Sequence, residues 1–195
     1  MAIDSPRIEA AVAELLAAIG ENPARPGLID TPRRVAESYE EFFAGIDQDP
    51  LEHLRDATAI DAAAAELGEL VLLRDVDFRS VCEHHLLPFT GVAHLAYVPG
   101  ERIIGLSQLP RVVETLASRP QLQERLGEQI ADAIEAGLTA RGVLVVLDAR
   151  QGCVTARGTR QVNSTTLTVA SRGTLSDPAT QAAVLATIAM RGVAE

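Results

Sequence analysis

Cys82-Glu83-His84-His85 and the distant Cys153 constrain this chain more than any other feature, and they contain both of its cysteines. Cys-x-x-His sets a thiolate and an imidazole one turn or tight loop apart, and a remote cysteine can complete three ligands. Zinc accepts an S/N/S set, and three protein ligands leave a fourth position open for water, which separates a catalytic metal from a structural one. To use that set, the fold must bring two apolar segments far apart in sequence together. A single disulfide is the competing use of two cysteines and is disfavoured in a reducing cytosol. Taken alone, Cys153 reads as a buried core thiol; beside Cys-x-x-His, metal ligation is the better reading. That spacing selects His85 as ligand and leaves His84 next to the site, where a histidine suits proton transfer at neutral pH.

The 195-residue length fits one domain with a helical extension. Apolar residues are 47% of the chain and aromatics 3%, with no Trp, so the core is built from Ala, Val, Leu and Ile. No apolar run reaches the roughly 20 residues of a membrane span. The opening residues lack the basic and apolar regions of a signal peptide, so a cytoplasmic protein is expected. A net charge of −10 argues against nucleic acid as partner. It leaves room for a small anionic ligand at a local arginine cluster.

Helical spacing of Ile8, Val12, Leu15, Leu16 and Ile19 predicts a helix over 7–20. Thr31-Pro32 reads as N-cap and first turn of a second helix ending near Gly45. Residues 46–57 read as loop and the alanine-rich 58–67 as a short helix. Val- and Leu-rich stretches over 69–78 and 90–98 predict two strands. Ser107 is expected to cap a helix to about 118, and Arg119-Pro120 to restart a longer one through Leu138. Residues 142–147 predict a buried strand, 153–157 and 164–171 two more, and 177–190 a terminal helix. Residues 1–68 thus form an N-terminal helical extension and 69–195 a β-β-α-α-β-β domain, an α+β arrangement.

If 151–157 is extended, Gln151, Cys153, Thr155 and Arg157 share one face. Ser107 and Arg111 on the first turn of their helix could form an anion site, but taken alone an ordinary capped helix with a surface arginine is the better reading. The run Gln121-Leu122-Gln123-Glu124-Arg125 reads as a solvated helical face, and His53 and His94 as structural or exposed.

Together these residues resemble the GTP cyclohydrolase I family over about 30–172. The resemblance rests on Ser80-Val81-Cys82-Glu83-His84-His85, Pro88-Phe89-x-Gly91, Ala96-Tyr97-Val98-Pro99, Ile104-Gly105-Leu106-Ser107, Arg119-Pro120-Gln121-Leu122-Gln123-Glu124-Arg125 and Cys153-x-x-x-Arg157-Gly158. It implies the tunnelling fold and a homodecamer of two pentameric rings with active sites at subunit interfaces. It implies Zn2+ on Cys82, His85 and Cys153, proton transfer by His84, and guanine read by Glu124 with Gln123. The triphosphate would be held by Arg34, Ser107, Gln108, Arg111 and Arg157. The implied reaction begins with zinc-activated water attacking C8 of guanine in GTP. The imidazole ring opens, formate leaves, the ribose rearranges and a pterin ring closes.

Three departures bear on the endpoint. Gln151 stands where the family usually has a histidine in His-x-Cys, and glutamine cannot shuttle a proton at pH 7. Gln108 replaces a common lysine, and Glu37 replaces another after the Thr-Pro-x-Arg motif. Phosphate binding is expected to weaken unless Arg33 or Arg160 compensates. Two catalytic versions stay open: reaction through to 7,8-dihydroneopterin triphosphate, or ring opening that stops at a formamido- or diaminopyrimidine, on GTP or a guanine compound with fewer phosphates. A non-catalytic, purine- or pterin-binding zinc protein is the alternative from another class.

Overall fold

The computed structural model describes residues 3–60 and 70–190. Two helices open the chain, α1 (Ser5–Ala18) and α2 (Thr31–Phe42), which pack on each other. A 3-10 segment at Pro50–Leu54 follows, then the short strand β1 (Thr58–Ala59). The remaining elements are β2 (Val71–Cys82), β3 (Pro88–Val98), β4 (Arg102–Ile103), α3 (Gln108–Ala117), β5 (Pro120–Gln121), α4 (Gln123–Leu138), β6 (Gly142–Gln151), the single turn α5 (Gly152–Thr155), β7 (Thr166–Gly173) and α6 (Pro178–Ala189). The order is α+β, as expected.

Five strands form one sheet in the order β5-β2-β3-β6-β7, antiparallel except where β5 runs parallel to β2. Period-two alternation sorts the side chains. Ala93, Leu95 and Tyr97 of β3, with Val143, Val145 and Leu147 of β6, face α3 and α4. There they meet Leu109, Val112, Leu116, Leu126, Ile130 and Ile134, all essentially inaccessible. On the opposite face Ala96, Leu144 and Val146 are covered by Leu175 and by Val184 of α6. Because β6 is covered on both faces, 142–147 reads as a continuous apolar run. Leu54 of the 3-10 segment is 1% exposed and seats against Gly137 of α4, where any β-carbon would collide with it.

Four expectations need correction. The helix expected at 58–67 starts instead as β1, pairing with β4, and 61–67 lie outside the described residues. The loop over 46–57 contains the 3-10 turn. The long helix begins at Gln123 rather than Arg119: Pro120 favours an extended residue before it, and Pro120-Gln121 pair with Val81-Cys82. Residues 153–157 are not a strand. β6 loses its ladder partner at the Phe89–Gln151 pair, so the backbone bonds locally and the Ala156 N–H donates to the Gly152 carbonyl at 3.0 Å. The wall of Gln151, Cys153, Thr155 and Arg157 therefore does not exist as an extended face. At two helix starts the expected cap shifts too: Thr31 lies inside α2, and Ser107 precedes α3 without a side-chain capping bond.

His94 sits in β3, 9% exposed, opposite a bulge in β2 where Asp75 takes a left-handed φ of 57°. The Asp75 N–H donates to His94 Nδ1 at 3.2 Å, which requires a neutral ring. Burial holds its pKa below the ordinary value; the nearby Asp75 and Asp148 charges oppose that shift and Arg74 adds to it. As pH falls below about 6.5, the unfolded chain takes up a proton that the folded chain resists, so stability falls with pH over that range. Urea unfolding followed from pH 7.5 to 5.5 is expected to show this decline, and His94→Asn to flatten it; an unchanged slope would remove His94 as its source.

Candidate metal centre and active site

The sheet register sets the site. Ser80 of β2 pairs with Phe89 of β3, and Phe89 pairs with Gln151 of β6. Cys82 and Cys153 therefore each stand two residues beyond one row, on the strands that flank β3. Because β3 starts only at Pro88, the turn over 83–87 occupies the space beyond its end. That turn is tight: the Cys82 N–H donates to the Leu87 carbonyl at 2.9 Å, and the Leu86 N–H to the Cys82 carbonyl at 2.8 Å. Leu86 takes φ 51°, uncommon for a residue with a branched side chain. On the other side, Gly152 lies so close to the Pro88 carbonyl that a β-carbon would come within 2.4 Å of it. A glycine there lets α5 bring Cys153 against the turn.

As a result Cys82, His85 and Cys153 come together, with one donor atom from each within 4.8 Å of the others. Both cysteines are free thiols, Cys82 buried and Cys153 partly so. The donor set fits a single ion such as zinc, whose bonds of about 2.0–2.3 Å place tetrahedral donors roughly 3.5–3.8 Å apart. Burial pushes the Cys153 thiol up, with the neighbouring Cys82 adding to the shift. Two thiols meeting in partial burial favour a cation between them. Arg157, although not on a strand, reaches the cluster with Nη1 3.4 Å from His85 Nε2. His84 is exposed, its ring edge-on to His85 at 6.3 Å between centroids.

A seam ties this turn to the start of α4. Beyond the β2–β5 pairing, the Glu83 N–H donates to the Gln121 carbonyl at 3.0 Å, and Glu83 forms a two-pronged ion pair with Arg125. Arg125 holds the Glu83 carboxyl below its ordinary pKa. Glu124, next in the chain to Arg125, is exposed in the first turn of α4, where an anion suits the helix dipole.

The run 121–125 is solvated only in part, at Glu124 and Arg125. Gln121 and Gln123 are 2% and 3% exposed. Gln121 Nε2 donates to the Leu116 carbonyl and to Gln129. Gln123 Nε2 donates to the carbonyls of Leu147 and Thr166 at 3.0 and 2.7 Å and reaches Thr168 Oγ1 at 3.2 Å. Gln123 Oε1 accepts from Gln151 Nε2 at 2.6 Å. Sequence reading missed the roles of Gly152, Glu83, Arg125 and the buried Gln123. Opposite charges on two motif segments were the available signal for the Glu83–Arg125 pair.

The residues expected at the phosphates are more dispersed. Arg34 is exposed on α2, with Nη2 on Thr31 Oγ1 at 3.1 Å and Asp30 nearby at 3.6 Å. Arg33 pairs with Glu37 one turn along, so it is already engaged by the acid it was expected to offset. Ser107 is exposed, and Gln108 opens α3. Arg111 lines a cavity of about 300 Å3 with Glu114, Gln48 and His53; His53 Nε2 sits 2.9 Å from Thr115 Oγ1. Among the described residues, Arg157 is the cation from this group in direct contact with the Cys82–His85–Cys153 cluster.

The GTP cyclohydrolase I family profile matches residues 8–189. Curated proteins named GTP cyclohydrolase 1 align over nearly the whole chain. The Leifsonia xyli subsp. xyli protein is 60% identical over 95% of both chains. That of Carboxydothermus hydrogenoformans is 52% identical over 95% of both. That of Rhodopirellula baltica is 51% identical over 95% of this chain and 80% of its own. With its α+β sheet and cluster of Cys82, His85 and Cys153, the chain belongs to the GTP cyclohydrolase I family and has its tunnelling fold.

Proposed function

We propose that this protein is a zinc-dependent hydrolase that opens the imidazole ring of guanine in GTP. The carrying observation is the convergence of Cys82, His85 and Cys153 in a chain of this family. The three residues would hold zinc and leave a coordination position open. Bound there, zinc supplies a Lewis acid that brings the pKa of water toward about 7.

The protein's own groups have separate tasks. Glu124 accepts hydrogen bonds from guanine N1–H and the 2-amino group, and the helix start behind it fixes its direction. His84 carries a proton to the ring nitrogen as the C8–N bond breaks. Arg157 places positive charge beside the cluster and the phosphates. Arg34, Ser107, Gln108 and Arg111 belong to the phosphate end. Their dispersal over separate elements of one chain fits a site completed by a neighbouring subunit. Exposed apolar residues fit the same reading: Leu15 on α1 and Ile19 at its C-cap, Leu167 and Val169 on the edge strand β7. The assembly is a homodecamer of two pentameric rings, in the cytoplasm, with residues 1–68 as helical extension and 69–195 as the catalytic unit.

Gln151 favours a second reading of the endpoint. A carboxamide cannot exchange a proton at neutral pH, and loss of a general acid–base costs about 10²–10⁴ in the step it serves. The reaction then halts at a formamido- or diaminopyrimidine. With Arg33 held by Glu37, a guanine compound with fewer phosphates becomes a better substrate.

Incubation with GTP, GMP and guanosine followed by mass spectrometry is expected to show a ring-opened product from at least one of them. Pterin fluorescence in the GTP sample marks the full reaction; a formamidopyrimidine without it marks the shorter one. No consumption of any guanine compound would overturn the enzyme reading. Metal analysis of purified variants is expected to show Cys153→Ser losing most bound zinc and Gly152→Ala losing part of it. Full zinc occupancy in Cys153→Ser would show that the ligand set is wrong.

A further inference from the structure

Buried donors and acceptors around Gln123 leave only one way to orient two side-chain amides. Leu147 and Thr166 face Gln123 with carbonyl oxygens, which only accept, so the nitrogen of its amide must point at them. Its Oε1 is then turned to Gln151, 2.6 Å away. An amide oxygen only accepts as well, so the Gln151 atom that meets it must be Nε2. The Gln151 amide is thereby held in one of its two flips, and its Oε1 has no protein partner among the described residues. Gln151 ends β6 immediately before the turn that carries Cys153, in the row that sets the cluster.

We propose that Gln123 is a positioning residue rather than a reader of the base: it fixes Gln151 so that Gln151 Oε1 stands as an oriented acceptor at the metal cluster. The substrate group it recognises is an N–H formed as the ring opens, at N7 once water has added to C8 or on the formamide that results. This rests on the guanine ring-opening reading above. It also gives Gln151 a task that needs no proton exchange. Gln123 is 3% exposed, and both polar atoms of its amide already have protein partners. Glu124 is then the base-reading side chain of the pair.

Two measurements test this. Gln151→Glu sets a second acceptor against Gln123 Oε1, whereas Gln151→His can restore a ring N–H donor. Gln151→Glu is expected to melt several degrees below Gln151→His. Equal melting, or the reverse order, would overturn the pairing without reference to activity. Both variants keep Gln123 and its strand contacts, so this comparison stands even where changes at Gln123 prevent folding. In the second measurement, Gln123→Met is expected to lower kcat for GTP roughly 3- to 10-fold with KM little changed, and to cause no further loss in a Gln151→Ala background. The same loss in both backgrounds, or a rise in KM alone, would return Gln123 to a structural or base-reading role. If the wild-type protein consumes no guanine compound, the proposed function fails, while the melting comparison still judges the pairing.

Discussion

Everything at this site depends on the row Ser80–Phe89–Gln151, in which three strands agree on one register. Hydrogen bonds across a sheet fix side-chain direction as well as position, because direction alternates with every residue. With that row in place, β2 and β6 deliver a cysteine two residues further on, and β3 contributes nothing there because it has not yet begun. The turn over 83–87 fills the space with a histidine. Rigid strands thus supply the outer limits of the cluster, and two short irregular pieces, the turn and α5, supply its closure.

Those two pieces separate what the sequence could reveal from what it could not. Cys82, His85 and Cys153 were legible because their side chains have few alternative uses in such spacing. The strongly periodic strands and helices were legible for a similar reason: β6 is apolar throughout because both faces are covered. Gly152 and Pro120-Gln121 were not legible. Their conformations answer to partners distant in the chain, the Pro88 carbonyl in one case and Val81-Cys82 in the other. The burial of Gln123 was hidden likewise, since a glutamine in a charged helical run looks solvated until strands β6 and β7 arrive beside it.

The charge distribution separates the two ends of a guanine nucleotide. Near the cluster, Glu83 is matched by Arg125, and Arg157 sets a cation beside the imidazole of His85. At the expected phosphate end, Arg33 is drawn to Glu37 and Arg34 lies near Asp30. Exposed pairs of this kind contribute little to stability, yet each draws a cation's charge toward a neighbouring acid and away from an anion. On the proposed reading, fixed geometry then serves the base and its reacting carbon, and the phosphates are left to adaptable surface groups.

The register of β6 has one more consequence. A shift of one residue along β3 would turn Gln151 to the opposite face, carry Gly152 away from the Pro88 carbonyl and move Cys153 out of reach of the turn. A wrongly threaded chain could bury nearly as much Val and Leu and still be unable to hold an ion. Metal capture at this cluster would then act as a proofreader of folding, retaining chains whose sheet is correctly aligned and passing over those whose hydrophobic core alone would have let them pass.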